Sequence, residues 1–346
     1  MYTLDEGYFY EKLGELMAID STTGFYRPIQ DYVKKEIEKL GMLPEEYHKG
    51  GIQTVIGGEG NTLLYTAHLD DIGLMVRKIN ADGTLTVVKV GGLHEDSAIG
   101  ENVRIYTRDG RIYTGSIQKI HSSVHVSEDS DFNQEPNWAK NVCVVLDEDV
   151  ETATSVEELG ITVGAVIALE PRLVVSNGYI KSRFLDDKVC AAVMLCMMKE
   201  IKEKNIKLNR EVIAHFSCYE EIGHGTSVLP ERVKDVVALD IACCGPRQTS
   251  HEKKVTVLAM DTRFPYNYDL SNELYNTGKA AGLDIVYDIF TPHYGSDGDT
   301  SIVAGHDIRH AAIGQGTRNS HGYERNHIEG IRQLYSLAME YITKME

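Results

Sequence analysis

No run in this chain is apolar for long enough to cross a bilayer: the longest, Val189 to Met198, has about half of the 20 or so residues required. The first residues, Met1-Tyr2-Thr3-Leu4-Asp5-Glu6, carry neither the basic start nor the apolar block of a secretory signal, so a cytoplasmic protein is expected. Cysteine is sparse. Six in 346 residues, with Cys243 and Cys244 adjacent, suit scattered buried thiols and not a disulfide framework. The adjacent pair could hold a soft metal, but the other candidate ligands are oxygen and imidazole, which suit harder divalent ions. Positive charge is also short. The 35 Lys and Arg stand against 52 Asp and Glu, for a net charge of −17, which argues against nucleic acid as a partner because neutralising phosphates needs clustered basic side chains. Anionic lipid headgroups are repelled for the same reason. Internal repeats, low-complexity tracts and flexible linkers are missing too.

What is present is the composition of an ordinary globular protein, 42% apolar and 25% charged, in a chain longer than one hydrophobic core usually serves, so two domains are expected. Phe9, Leu13 and Met17 recur at helical spacing, and a second helix is predicted from about Pro28 to Gly41, with strands at Ile52 to Ile56 and Thr62 to Thr66. From about Gly73 to Glu170 short β-branched runs such as Leu85 to Val90, Val103 to Thr107 and Val142 to Leu146 are punctuated by Gly, Asn and Asp, the pattern of an antiparallel barrel or sandwich inserted into an α/β chain. Alternation of strand and helix then returns: strands at Tyr179 to Arg183, Val212 to Phe216, Val236 to Leu239, Ile285 to Tyr287 and Ala311 to Ile313, and helices across Lys188 to Lys204, Leu270 to Ala281 and Ile328 to Thr343.

The strand Val212 to Phe216 delivers Glu220 and Glu221 into a glycine-bearing turn. Adjacent carboxylates repel, and one would have its pKa raised unless something positive sits beside them. A metal ion removes the objection, since one Glu can ligate it while its neighbour handles a proton; a solvated acidic turn is the plainer alternative. His68 and Asp70 close another strand two residues apart, so Asp70 is expected to hold the His68 ring in one tautomer, with or without a metal on the other nitrogen. Asp186 and Asp187 stand where a strand yields to a helix, and helix capping accounts for at least one of them. Asp240 ends an apolar strand, and His321 lies in a polar loop before the last helix, where a solvated imidazole is the commoner case. Together His68, Asp186, Glu221, Asp240 and His321 fall at strand ends or the turns that follow, where open α/β sheets collect ligands. Two His and three carboxylates suffice for two divalent ions if one carboxylate bridges them.

These residues resemble the M42 metallopeptidases, the group of glutamyl, deblocking and tetrahedral aminopeptidases some of whose members have been labelled endoglucanases. The match runs through Ala67 to Asp70, Asp186-Asp187-Lys188, Glu220-Glu221, Asp240, and Arg318 with His321 and Glu324. The resemblance implies that His68 and Asp240 bind one metal, Glu221 and His321 the other, that Asp186 bridges both, and that Glu220 is the general base, with Asp70 assisting. It implies a zinc-peptidase, phosphorylase/hydrolase-like α/β catalytic domain over residues 1–72 and 171–346, interrupted by a β-barrel dimerisation domain over residues 73–170. Two ions per subunit are expected, Zn foremost, with Co or Mn also suited. The partners implied are peptides with a free N-terminus and further copies of the chain, as a homodimer that can assemble into a tetrahedral dodecamer. Three departures touch no proposed ligand: Asp71 where many relatives have Glu, Lys188 where Arg or another basic residue is common, and Gly295-Ser296-Asp297-Gly298-Asp299-Thr300 as an unusual form of a Gly-x-Asp-Ala stretch.

The function expected from this resemblance is hydrolysis of the first peptide bond: Glu220 takes a proton from a water shared by two ions and returns it to the leaving amine. A deacylase or dipeptidase-type amidohydrolase would use the same cluster. A glycosidase would use paired carboxylates without metal, and a non-catalytic assembly module would keep metal for folding alone.

Overall fold

Four strands, Val212–Ser217, Thr62–His68, Val233–Leu239 and Arg309–Thr317, lie side by side in that order and all parallel. Their residues are buried almost without a break, as is usual where helices cover both faces of a parallel sheet. The computed structural model describes residues 2–344. On one flank the sheet continues through the antiparallel strands Ile52–Gly57 and Glu45–Glu46; on the other Val255–Met260 pairs antiparallel with Arg309–Thr317 and carries Ile285–Ile289 at the edge. A separate three-stranded sheet joins Val174–Ser176, Tyr179–Ser182 and Glu324–His327, and it places Ser182 opposite Glu324. Among the described residues no helix is long and apolar enough to cross a membrane.

The helix Leu185–Glu203 is apolar on nearly every face and accordingly buried for most of its length. Glu6–Met17 is capped by Asp5, whose carboxylate accepts from Tyr8 N at 3.1 Å, and it turns Phe9, Leu13, Leu16 and Met17 inward. Ile328–Thr343 begins where the spacing of apolar residues predicts. Elements that escape the periodicity reading include the strand Val255–Met260, the short strand Glu324–His327 and the short helix Asp297–Val303. The two short ones are polar, so neither period of 2 nor period of 3.6 stands out.

By contact density the chain separates into Met1–Asp70 with Arg172–Glu346, and Asp71–Pro171. The second unit is a closed barrel of antiparallel strands in the order Gly73–Ile79, Leu85–Val90, Val142–Leu146, Ile112–Lys119, Asn102–Tyr106, Val166–Leu169. Alternate residues, among them Leu74, Val76, Leu85, Val87, Val103, Ile105 and Ile167, fill it, and closure leaves no free edge.

Leu64 sits fully buried against Ile213, Leu229, Val233 and Val236, on the strand that leads to His68. Leu64→Ala should destabilise the protein by about 2–5 kcal/mol, read as a lower urea midpoint at unchanged slope.

Candidate active site

The carboxyl ends of the four central strands stand together because the strands are parallel and adjacent. Ser217 pairs in register with His68, Leu239 with Ile313, and past these ends lie Glu220 and Glu221, Asp70, Asp240 and the His321 loop. Asp186 arrives from another direction, at the start of the helix Leu185–Glu203, where Asp186 and Asp187 depart from helical backbone and are joined by a cis peptide.

Asp186 lies between the imidazoles. Its Oδ1 is 3.1 Å from His68 Nε2, and its Oδ2 is 3.6 Å from His321 Nε2. Glu221 Oε2 stands 3.3 Å from His321 Nε2, and Glu220 Oε2 is 3.7 Å from His68 Nε2. Donor atoms of His68, Asp186 and Glu221 lie within 4.8 Å of one another, and so do those of Asp186, Asp187 and Asp240. Atoms sharing one ion at bond lengths of about 2.1 Å stand about 3.4 Å apart at the tetrahedral angle. The spacings from 3.1 to 3.6 Å therefore fit a divalent cation, and imidazole with carboxylate is a suitable donor set. A second observation agrees: among the described residues Asp187 Oδ1 is buried with no hydrogen-bond partner.

The site residues are held by their backbones. His68 N donates to Asp187 Oδ2 at 3.2 Å; Asp186 N and His321 N donate to the two oxygens of Glu324, each at 3.0 Å; and Glu220 N and Glu221 N donate to the two oxygens of Asp70, at 3.1 and 3.3 Å. Asp70 also accepts from Thr23 Oγ1 at 2.7 Å. Arg318 and Arg325, on either side of the His321 loop, both donate to buried Glu252, at 3.0 and 2.8 Å.

Here the geometry departs from the sequence expectation for Asp70. His68 Nδ1 lies 2.9 Å from the Asp70 carbonyl and 3.7 Å from its carboxylate. A carbonyl can only accept, so Nδ1 carries the proton and Nε2 is the nitrogen presented to Asp186. The strand ends at His68, and beyond it the two-residue facing rule no longer directs the Asp70 side chain. Of the other sequence candidates, His68, Asp186, Glu221, Asp240 and His321 are brought together, and Glu220 faces the same space. Sequence reasoning missed the brace that Glu324 forms to Asp186 and the closeness of Asp187 to Asp240, because in each case the partner lies far away along the chain.

So many carboxylates in one interior disturb each other's protonation. Burial, then the charges of Asp240 and Asp297, hold the Glu220 carboxyl well above the usual range, against the pull of His68. Burial and Asp186 do the same for Glu221. Asp240 is pushed up to about 7, by burial first and Asp186 second. Burial opposes a charge on His68, but its hydrogen bond to Asp186 and the Glu220 charge outweigh it and raise its pKa. Asp186 alone is lowered, because that same hydrogen bond overrides its burial.

A family model described as M42 glutamyl aminopeptidase matches residues 50–337. A Bacillus subtilis (strain 168) protein named as an aminopeptidase, YhfE, is 35% identical over 339 residues, spanning 96% of each chain. The glutamyl aminopeptidase of Lactococcus lactis subsp. cremoris is 28% identical over 62% of this chain and 60% of its own. In fold the chain is similar to the Pyrococcus horikoshii TET1 peptidase, with a TM-score of 0.83 over 97% of this chain and 100% of that one at 21% identity.

With metal removed, a carboxyl whose folded pKa is raised binds more protons in the native state than in the unfolded one, so stability falls as pH rises between the two values. For Asp240 that window runs from 3.8 to about 7. The chelated protein should therefore melt at lower temperature at pH 8 than at pH 6, and added Zn should raise the melting temperature more at pH 8, where fewer protons must leave. Thermal melts with and without chelator check both signs.

Proposed function

The chain belongs to the M42 glutamyl aminopeptidase family, and on that premise we propose that it is a two-metal aminopeptidase that removes residues from peptides with a free N-terminus, with Glu220 as its general base. The observation that carries this reading is the placement of Asp186, with one carboxylate oxygen toward each of two imidazoles. His68, Asp186 and Asp240 would hold one ion, and His321, Glu221 and Asp186 the other. Bound there, the ions would supply a water acidic enough to give up a proton near neutral pH and a positive field for the oxyanion that forms at the scissile carbonyl.

Glu220 and Glu221 divide the remaining work. Glu221 belongs to the donor group with His68 and Asp186 and stands 3.3 Å from His321, whereas Glu220 belongs to neither donor group and would be free to take the proton of the attacking water. Its place, 3.7 Å from His68 Nε2 and facing the same space, suits a group that must accept a proton from a bound water and return it to the leaving amine. The Nδ1 proton of His68, fixed on the Asp70 carbonyl, keeps Nε2 as the ligating atom, and Asp70 fixes the Glu220-Glu221 turn by both N–H groups. Zn, Co and Mn all suit such a set.

The barrel unit would serve a homodimer. Assembly into a larger closed shell is the further expectation, by likeness to the P. horikoshii TET1 peptidase, which can assemble into a tetrahedron or a large octahedral shell. Native mass measurement distinguishes a dimer from a shell.

Glu220→Gln should lower kcat on unblocked aminoacyl anilides by about 10²–10⁴-fold while both metals stay bound, as measured by steady-state kinetics beside metal analysis. Turnover at the wild-type rate with metals in place would remove Glu220 from its role. Activity on N-acyl amino acids in preference to free aminoacyl substrates would favour a deacylase using the same residues.

A further inference from the structure

The turn that carries Glu220 and Glu221 is held at its crown by Asp70. Its two feet are held by a different residue. Ser217, the last residue of the preceding strand, donates from Oγ to Asp297 Oδ2, and Thr226, where the chain leaves the turn, donates from its backbone N–H to Asp297 Oδ1 at 3.2 Å. Thr226 Oγ1 donates to the Asp297 carbonyl, and Thr66 Oγ1, on the neighbouring strand two residues before His68, donates to Oδ2 at 3.2 Å. Asp297, Ser217, Thr226 and Thr66 are all buried. At Gly225 the approach is so close that a Cβ would overlap Asp297 Oδ1, so only glycine lets the turn come down onto this carboxylate.

We propose that Asp297 is a positioning residue for the reaction: it ties both feet of the turn to one carboxylate and to the strand of His68, and so fixes where Glu220 points. The proposal rests on Glu220 being the base. Asp297 belongs to neither donor group of the candidate metal centre, so it reaches Glu220 by two routes, the turn and its own charge, and Asp297→Asn removes the charge while keeping the tie. An ionised carboxylate suits the task because it accepts on every side, and two hydroxyls and an N–H converge on it here. Lys49 Nζ, which donates to the His224 carbonyl, and Cys218 Sγ, which donates to the Gly50 carbonyl at 3.5 Å, are further long-range ties of this turn, and neither reaches the strand of His68; the bonds within it run from Gly223 N to the Glu220 carbonyl at 2.6 Å and from His224 N to the Tyr219 carbonyl at 2.9 Å. Those shape the turn without fixing it to the sheet.

The test is a double-mutant cycle on the metal-loaded enzyme, with unblocked aminoacyl anilide as substrate. Asp297→Ala should lower kcat on the order of 10–100-fold, the scale of a misplaced catalytic group, with KM and bound metal each within about twofold of wild type, since binding is left intact. Placed on Glu220→Gln, the same change should lower the residual rate by less than about twofold, because the group it positions is already gone. Asp297→Asn keeps one acceptor for Thr226 and an amide that the two hydroxyls can accept from, so it should recover kcat to within about threefold of wild type. Should Asp297→Ala fail to fold, Ser217→Ala cuts one foot alone and should give a smaller loss of kcat that likewise vanishes on Glu220→Gln. An unchanged kcat in these variants, a loss fully additive with Glu220→Gln, or a loss of kcat that tracks loss of metal overturns the proposal. If Glu220→Gln is inactive while Asp297→Ala and Ser217→Ala are unimpaired, positioning fails and the base stands; if Glu220→Gln turns over normally, the base falls and the positioning role with it.

Discussion

Mutual repulsion among buried carboxylates is the constraint on which the site depends. Asp186, Asp187 and Asp240 bring their oxygens within 4.8 Å of one another, with Asp70, Glu220, Glu221, Asp297 and Glu324 close enough to shift their neighbours' protonation. Two unit charges 4 Å apart repel by about 4 kcal/mol at the effective dielectric of a protein interior. Such a cluster is tolerable only with protons or cations among the oxygens, and the rise of Glu220, Glu221, Asp187, Asp240 and Glu324 above the usual carboxylate range is how a site without ions would express that need. Divalent ions meet it without surrendering the negative charge that a ligand or a base requires.

A second rule follows from how these carboxylates are spent. Those that face the imidazoles are backed by others that accept main-chain N–H groups: Asp187 from His68, Glu324 from Asp186 and His321, Asp70 from Glu220 and Glu221. Strands that have just ended leave N–H groups with no ladder partner, and a buried N–H must be satisfied. Acidic side chains satisfy them here and fix the backbone of the site residue itself, a stiffer tether than a contact at the far end of a rotatable side chain. Loops are closed in the same manner: Glu252 takes Arg318 and Arg325 on either side of His321, as Asp297 takes Ser217 and Thr226 on either side of Glu220.

This layering decides what could be read from residues alone. The strands Thr62–His68 and Val212–Ser217 and the helix Ile328–Thr343 are legible because burial on a regular element imposes a period, and the barrel is legible from short β-branched runs between turn residues. The donor residues stand out as acids and imidazoles at the ends of apolar runs. Their braces do not. Asp297 reaches Ser217 across 80 positions and Glu324 reaches Asp186 across 138, and no local pattern marks an acid whose partner is a distant N–H or hydroxyl. Asp70 shows the same limit at short range: its spacing from His68 was informative, but the carbonyl meets the ring while the carboxylate meets another loop.

The backbone records the cost of this arrangement. Phe184, Tyr219, Asn319 and His321 all take left-handed conformations, with φ between 59° and 73°, and they sit in the three loops that deliver Asp186, Glu220 with Glu221, and His321. Residues with a Cβ lose about 1–2 kcal/mol each in that region. Such strain persists only where the surroundings over-determine it, and each of these loops is tied by a carboxylate to backbone at its crown or to residues at its feet. A left-handed residue just before Glu220 reverses the chain so that two successive side chains leave a tight turn in different directions. One of them can then join the donor group while its neighbour stays outside it. Relaxing Tyr219 to an ordinary conformation would ease the turn locally and bring the pair back toward competing for the same space. The strained residue and the braces against it are therefore one device, which holds two adjacent carboxylates toward two different imidazoles, Glu220 toward His68 and Glu221 toward His321.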